Sequence, residues 1–260
     1  MTTRLSTRSD QARVTAAILA GGAGHRMGGD RPKQLLELAG RTVLEHSLAT
    51  FCACPEVDEV LLLLPEPHVA EAEHIASAVG YAKVTRVLPG GTERSDTSWR
   101  AIQALDQHPD SEIVLLHDAA RPLVEPQAIS ACITAAAATG AASVAVPASD
   151  TIVESMPGPS PHELGAVSRM PDRTTLRRMQ TPQGFRLGVL RRAHEAARND
   201  PVFQATDDCG VVVNYLPETS VALVAGTETN IKITHPGDLA VATALLQQRT
   251  NPQTKGRQAP

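Results

Sequence analysis

An apolar run, Ala16 to Leu19, breaks into the glycines Gly21, Gly22 and Gly24, and Arg26, Arg31 and Lys33 follow within a few residues. Glycines let backbone N–H groups approach an anion closely. Cations delivered next to such a loop can neutralise charge that grows as pyrophosphate leaves a triphosphate. Two familiar phosphate motifs fail on spacing. No Gly-Lys-Ser/Thr follows the glycines, so this is not a Walker A loop. In the dinucleotide fingerprint counted from Gly22, the third glycine position is Met27, and the second apolar run ends at Pro65 with no acidic residue to hold a ribose. From the residues alone, a glycine-rich turn with solvated cations is an equal alternative.

Five further segments carry reactive side chains. Gly90 to Ser98 sets two glycines before polar residues and a helix, an arrangement suited to backbone contact with a base or ribose, with Thr97 offering a hydroxyl. The simpler reading is a turn and a helix capped by Asp96 or Thr97. In His117 to Pro122, Asp118 at the end of an apolar run could hold Mg2+, or merely cap a helix. Arg121 could clamp a second phosphate through its forked donors, and His117 reads as a buried packing residue rather than a general base. Gln180 to Phe185 and Asn230 to Thr234 say little alone, and Lys232, inside an expected short strand, is expected to face solvent. Ala205 to Asp208 reads as a helix N-cap with acids in the first turn.

The elements that must position these groups alternate. Apolar runs at Val14–Leu19, Glu59–Pro65, around Val84, at Glu112–His117 and at Ala142–Pro147 are separated by helical patterns. Their continuous apolar character predicts strands buried on both faces, hence a doubly wound, mostly parallel, Rossmann-like α/β sheet. Ligands bind beyond the carboxyl ends of such strands, where the Gly22 loop, Gly90–Gly91 and His117–Asp118 fall. The alternation fails from Asp150 to about Gln180, a stretch rich in proline with two short strand-like segments, which predicts a hairpin-like arm. Regular elements then return, with helices expected near Leu187–Ala197, Asp208–Tyr215 and Pro236–Gln247 and a strand at Ser220–Gly226. One domain is expected over residues 13–247, with a loose leader at 1–12 and a loose tail at 248–260.

Composition narrows the chemistry. The 260-residue chain is 42% hydrophobic and 20% charged, with a net charge of −4 and only 2% aromatic residues. That argues against nucleic-acid binding, which calls for a basic field and stacking platforms. The four cysteines lack zinc-site spacing and read as free thiols of a reducing cytoplasm. No apolar run is long enough to span a membrane.

Taken in order, Gly-x-Gly-x-Arg-Met-Gly with Pro-Lys-Gln, Gly-Gly-x-x-Arg, His-Asp-Ala-Ala-Arg-Pro, Asp-Thr, Gln-Thr-Pro-Gln, Thr-Asp-Asp and Asn-Ile-Lys-Ile-Thr resemble the cytidylyltransferases that make CDP-methylerythritol in non-mevalonate isoprenoid synthesis. The resemblance runs from about Thr15 to Leu246. It implies transfer of CMP from CTP to a polyol phosphate, with Mg2+ and release of pyrophosphate. By that likeness Arg26, Lys33 and Lys232 are the catalytic cations. Ala20, Gly21, Gly22, Gly24, Gly91, Thr92, Thr97, Asp118 and Ala119 would surround CTP, with Asp118 also near the metal. Arg121, Thr151, Arg173 and Thr206, with Lys232, would face the acceptor. Thr151 and Arg173 match arm residues that reach a partner's site, which implies a homodimer with composite sites. Leu19-Ala20-Gly21-Gly22 departs from the Pro-Ala-Ala-Gly of most methylerythritol enzymes and looks more like the related ribitol-5-phosphate cytidylyltransferases, whereas Ala119-Ala120 favours the methylerythritol type.

Overall fold

The computed structural model describes residues 12–21, 31–78, 80–158, 160, 163–200, 202 and 206–250. Residues 1–11 of the expected leader, residues 251–260 of the expected tail, and Gly22, Gly24 and Arg26 of the glycine loop lie outside the described residues, while residues 248–250, expected to be loose, end the last helix. Strands β1 (Val14–Leu19), β4 (Glu59–Leu64), β5 (Val84–Pro89), β6 (Ile113–Asp118), β7 (Ala141–Pro147), β10 (Arg177–Arg186) and β11 (Val221–Ala225) form one seven-stranded sheet. Its order is β11-β7-β10-β6-β1-β4-β5. All neighbours pair in parallel except β10, which runs antiparallel between β6 and β7. The expected α/β class and mostly parallel sheet are thus observed.

Side chains of successive residues on a strand point to opposite faces, and here both faces are apolar. Ala16, Ile18, Leu62, Leu64 and Leu115 pack with residues of helices α1 (Val43–Ala53) and α4 (Pro126–Thr139) on one side. Ala17, Leu19, Leu61, Leu63 and Leu116 pack with residues of α3 (Arg94–Ala104), α5 (Leu187–Arg198) and α6 (Asp208–Tyr215) on the other. Helix α2 (Val69–Ala78) lies against β5, and α7 (Pro236–Thr250) closes the described chain. The helix ends follow local chemistry. Thr42 and Glu45 form a reciprocal capping box that starts α1. Gly140, at φ +96°, ends α4 in the left-handed conformation that favours glycine.

Three features differ from the sequence reading. Asn230–Thr234 is not a strand; it is irregular chain. Helix α3 begins at Arg94, so Asp96 and Thr97 lie inside its first turn and neither caps it; the N-cap is Glu93, without a side-chain cap bond. Gln180–Phe185 proves to be part of β10 in the middle of the sheet. Because β10 begins at Arg177, the last residues read as arm belong to the sheet. Before it, β8 (Glu154–Pro157) and β9 (Leu164–Arg169) pair antiparallel as a separate hairpin. Two-residue strands β2 (Glu37–Leu38) and β3 (Arg41–Thr42) make a small ribbon ahead of α1. No helix among the described residues is long and apolar enough to cross a membrane.

Candidate active site

The carboxyl ends of β1 and β6 lie side by side, with Leu19 opposite Asp118. Beyond them the Ala119 amide donates to the Leu19 carbonyl at 2.9 Å and the Ala20 amide to that of Leu63 at 2.6 Å. Both alanines are buried, and their backbones extend the sheet to the lip of a cleft. Gly21, Lys33, Thr97, Asp118 and Lys232 line that cleft, five residues singled out by sequence, together with Leu19, Gln34, Arg94 and Ala120.

At one wall the backbone comes close to α3. A Cβ at Gly21 would lie 2.5 Å from Thr97 Oγ1, and one at Gly91 would lie 2.1 Å from Asp96 Cβ, so both positions need a bare backbone. Thr97 braces this wall. Its hydroxyl donates to the Glu93 carbonyl at 2.9 Å and accepts the Gly91 amide at 3.0 Å. Thr92 is exposed and donates to Asp96 Oδ2 at 2.8 Å.

The cations gather around Asp118 and the segment Asn230–Thr234. Lys33, on a 3-10 turn at Lys33–Leu35, is buried and donates from Nζ to the Ile233 carbonyl at 2.7 Å. Lys232 does not simply face solvent as its sequence position suggested. Its Nζ meets Asp118 Oδ2 at 2.7 Å, because the irregular chain of Asn230–Thr234 runs alongside the end of β6, with the Ile233 amide donating to the Ala120 carbonyl at 2.8 Å. Arg94 Nε reaches the other oxygen of Asp118 at 3.1 Å, and Arg94 Nη1 reaches Asp208 Oδ2. Burial alone would raise the Asp118 carboxyl, but Arg94, Lys232 and Arg121 outweigh it and hold the group well below the usual carboxylate range. Burial likewise opposes the Arg94 charge, and Asp208 and Asp118 more than offset it.

A family description fits this cleft along almost the whole fold. Residues 14–248 match the family model for 2-C-methyl-D-erythritol 4-phosphate cytidylyltransferase, IspD. The chain belongs to the IspD family. A relative from Thermobifida fusca, named 2-C-methyl-D-erythritol 4-phosphate cytidylyltransferase, is 57% identical over 90% of this chain and 94% of its own. A bifunctional ribulose 5-phosphate reductase/CDP-ribitol pyrophosphorylase from Haemophilus influenzae is 40% identical over 90% of this chain and 48% of its own. Among solved structures, the 4-diphosphocytidyl-2C-methyl-D-erythritol synthase of Anaerococcus prevotii superposes with a TM-score of 0.77 at 28% identity, covering 91% of this chain and 96% of that one. As an IspD-family protein the chain is a CTP-dependent cytidylyltransferase, a nucleotidyltransferase.

Sequence reasoning left two residues out of the IspD-type site: Arg94, which lines the cleft, and Asp208, buried behind it against Arg94. Their signals were present in Gly-Gly-x-x-Arg and Thr-Asp-Asp. The site also depends on the Gln-Thr-Pro-Gln segment, whose three polar side chains each tie down a different motif. Gln180 donates to the Thr227 carbonyl at 2.9 Å and accepts from Asn230 at 3.1 Å, anchoring the segment that carries Lys232. Thr181 accepts the Asp118 amide at 3.1 Å. Gln183 donates to Asp207 Oδ2 at 2.9 Å and accepts the Asp208 amide at 3.2 Å, fixing the start of α6. Asp207 is the N-cap there, as expected, accepting the Gly210 amide at 2.7 Å.

The expected acceptor residues sit apart from the described cleft wall. Arg121 is half-buried, and its Nη1 donates to the Asn230 carbonyl at 2.8 Å and its Nη2 to that of Met179 at 3.4 Å. Thr206 is exposed just before the Asp207 cap, and Thr151 is exposed before the hairpin. Arg173 is exposed and donates to the Ser149 carbonyl at 3.2 Å. None of these four lines the cleft formed by the described residues.

Proposed function

We propose that this chain transfers CMP from CTP to 2-C-methyl-D-erythritol 4-phosphate and releases pyrophosphate. The observation that carries the reading is the convergence of Lys33, Lys232, Arg94 and Asp118 at the carboxyl ends of β1 and β6, in a chain 57% identical to a relative of that name. The acceptor phosphate oxygen attacks the α-phosphorus of CTP in line. The bond from that phosphorus to the bridging oxygen breaks, and pyrophosphate departs with its electrons. No covalent enzyme intermediate is needed, so the protein's part is to position groups and stabilise charge. Lys33 and Lys232 supply positive charge in the cleft, and Arg26 is assigned with them to the triphosphate. The bare backbone at Gly21, Gly22, Gly24 and Gly91, with Ala20, Thr92, Thr97 and Ala119, is assigned to the nucleotide.

Among the described residues no three metal-ligating side chains converge. Asp118 is a single carboxylate, and both its oxygens already meet cations. This donor set fits Mg2+ only in the way common for that ion, one carboxylate with the rest of the shell from substrate phosphates and water. Asp118 is the residue that would hold it, and the ion would supply further charge neutralisation at the phosphates.

Arg121, Thr151, Arg173 and Thr206 are assigned to the acceptor, Thr151 and Arg173 from a partner subunit. The homodimer reading is supported by apolar residues exposed on and around the hairpin, Ile152, Val153, Met156, Val167 and Met170, the kind of patch that marks a protein interface. Four free cysteines agree with a cytoplasmic setting.

Ribitol 5-phosphate is the second acceptor to test, because the Haemophilus influenzae relative carries CDP-ribitol pyrophosphorylase in its name and this chain has the Leu19–Gly22 form. Pyrophosphate release from CTP with a panel of polyol phosphates decides. Turnover with methylerythritol 4-phosphate is expected; turnover with ribitol 5-phosphate alone would move the assignment, and absence of release with every acceptor would end it.

A further inference from the structure

Four charged side chains are linked in a row, three of them, Arg94, Asp118 and Lys232, lining the cleft. Asp208 accepts from His194 Nε2 at 3.0 Å and from Arg94 Nη1. Arg94 Nε donates to Asp118 Oδ1 at 3.1 Å, and Lys232 Nζ donates to Asp118 Oδ2 at 2.7 Å. Charge alternates along the row: carboxylate, guanidinium, carboxylate, ammonium. Mobility does not. The side chains of Asp208 and Asp118 are 1% and 11% exposed, Arg94 is 24% exposed, and Lys232 is 38% exposed. Lys232 is therefore the member with most freedom to turn towards an arriving anion.

If Lys232 were the only partner of Asp118, its departure would strand a nearly buried carboxylate, which is costly. Arg94 supplies a second partner from the far side. Arg94 could itself be drawn towards a phosphate, but Asp208 holds it from behind through a separate donor, and Asp208 is fixed in turn by His194 and by the Gln183 contact with its amide. We propose that Asp208 is a positioning residue for cytidylyl transfer: through Arg94 it keeps Asp118 neutralised, so that Lys232 can leave that carboxylate for the triphosphate. The inference rests on the reading that the triphosphate of CTP binds in this cleft.

Pyrophosphate release by the wild-type full chain, with CTP and the acceptor it uses, tests that underlying reading first. Asp208→Asn then keeps the shape and one accepting oxygen but removes the charge and the second acceptor. The expected result is a fall in kcat of about tenfold or more, the scale seen when residues that orient charged ligands from behind are changed. CTP affinity by calorimetry should stay within about threefold, and Asp208→Glu should recover part of the loss. The Asp208→Asn, Arg94→Lys double variant should be no worse than Arg94→Lys, because both act on one link. Near-normal kcat in Asp208→Asn, Asp208→Glu as impaired as Asp208→Asn, or additive losses would overturn the proposal while leaving the cytidylyltransferase reading intact. If Asp208→Asn does not fold, Arg94→Lys alone decides. It keeps the positive charge but cannot span both carboxylates, so the same fall in kcat is expected and normal turnover overturns the idea.

Discussion

His117 Nδ1 lies 3.0 Å from the hydroxyl of Thr181, and that contact decides what the histidine can do. The Thr181 oxygen accepts the Asp118 amide at 3.1 Å, so its proton points to Nδ1. On the other side of the ring Nε2 donates to the Arg121 carbonyl at 3.2 Å. Both nitrogens are committed in the neutral form, and the ring rests against Phe51 with centroids 4.8 Å apart. His117 is therefore a packing residue that aligns β6 with β10, and it is not placed as a base.

Burial pushes His117 down from 6.5 to about 3, with Arg121 and Lys232 adding to the effect and Asp118 opposing it. The unfolded chain takes up this proton below pH 6.5 while the folded chain does so only near pH 3, so this residue lowers stability as pH falls through that window. Its contribution to the slope is at most about 1.4 kcal/mol per pH unit. His117→Gln keeps a donor and an acceptor but does not titrate. Denaturant unfolding between pH 6.5 and pH 4 should be less steep in pH for the variant than for wild type; parallel curves would show that His117 is not buried in the neutral state.

Lys33 joins the turn after the glycine loop to the segment carrying Lys232, through its bond to the Ile233 carbonyl. Lys33→Met keeps the aliphatic stem and removes the charge. Turnover is expected to fall by about 100-fold or more, the scale for loss of one donor at a developing anion, with thermal unfolding near that of wild type. Near-normal turnover would remove Lys33 from the chemistry.

Arg173 sits on an exposed 3-10 turn beyond the hairpin, and its guanidinium reaches only a nearby backbone carbonyl of its own chain among the described residues. If it serves a partner's site, Arg173→Ala and Lys33→Met should each be nearly inactive alone. Mixed after unfolding and refolding together, they should regain activity, since one of the two sites in each heterodimer then has both groups. A mixture as inactive as its parts would argue for sites contained within one subunit.

Local periodicity determined much of this protein. Apolar runs at Val14–Leu19, Glu59–Leu64, Ile113–Asp118 and Ala141–Pro147, separated by helical patterns, were enough to specify a two-sided sheet, because burial on both faces demands continuous apolar strands. The ends of two of those runs also marked where Gly21 and Asp118 would gather. Local signals could not place β10. Pro182 and Gly184 argue against a central strand. The structure accommodates Pro182 at an irregularity between Met179 and Gln183, where no ladder amide is required of it. Nor could sequence pair Lys232 with Asp118, 114 residues away, or Asp118 with Arg94 and Asp208. Residue types state which charges are present; only the folded chain, by burying those carboxylates beside one another's cations, decides which of them must be partners.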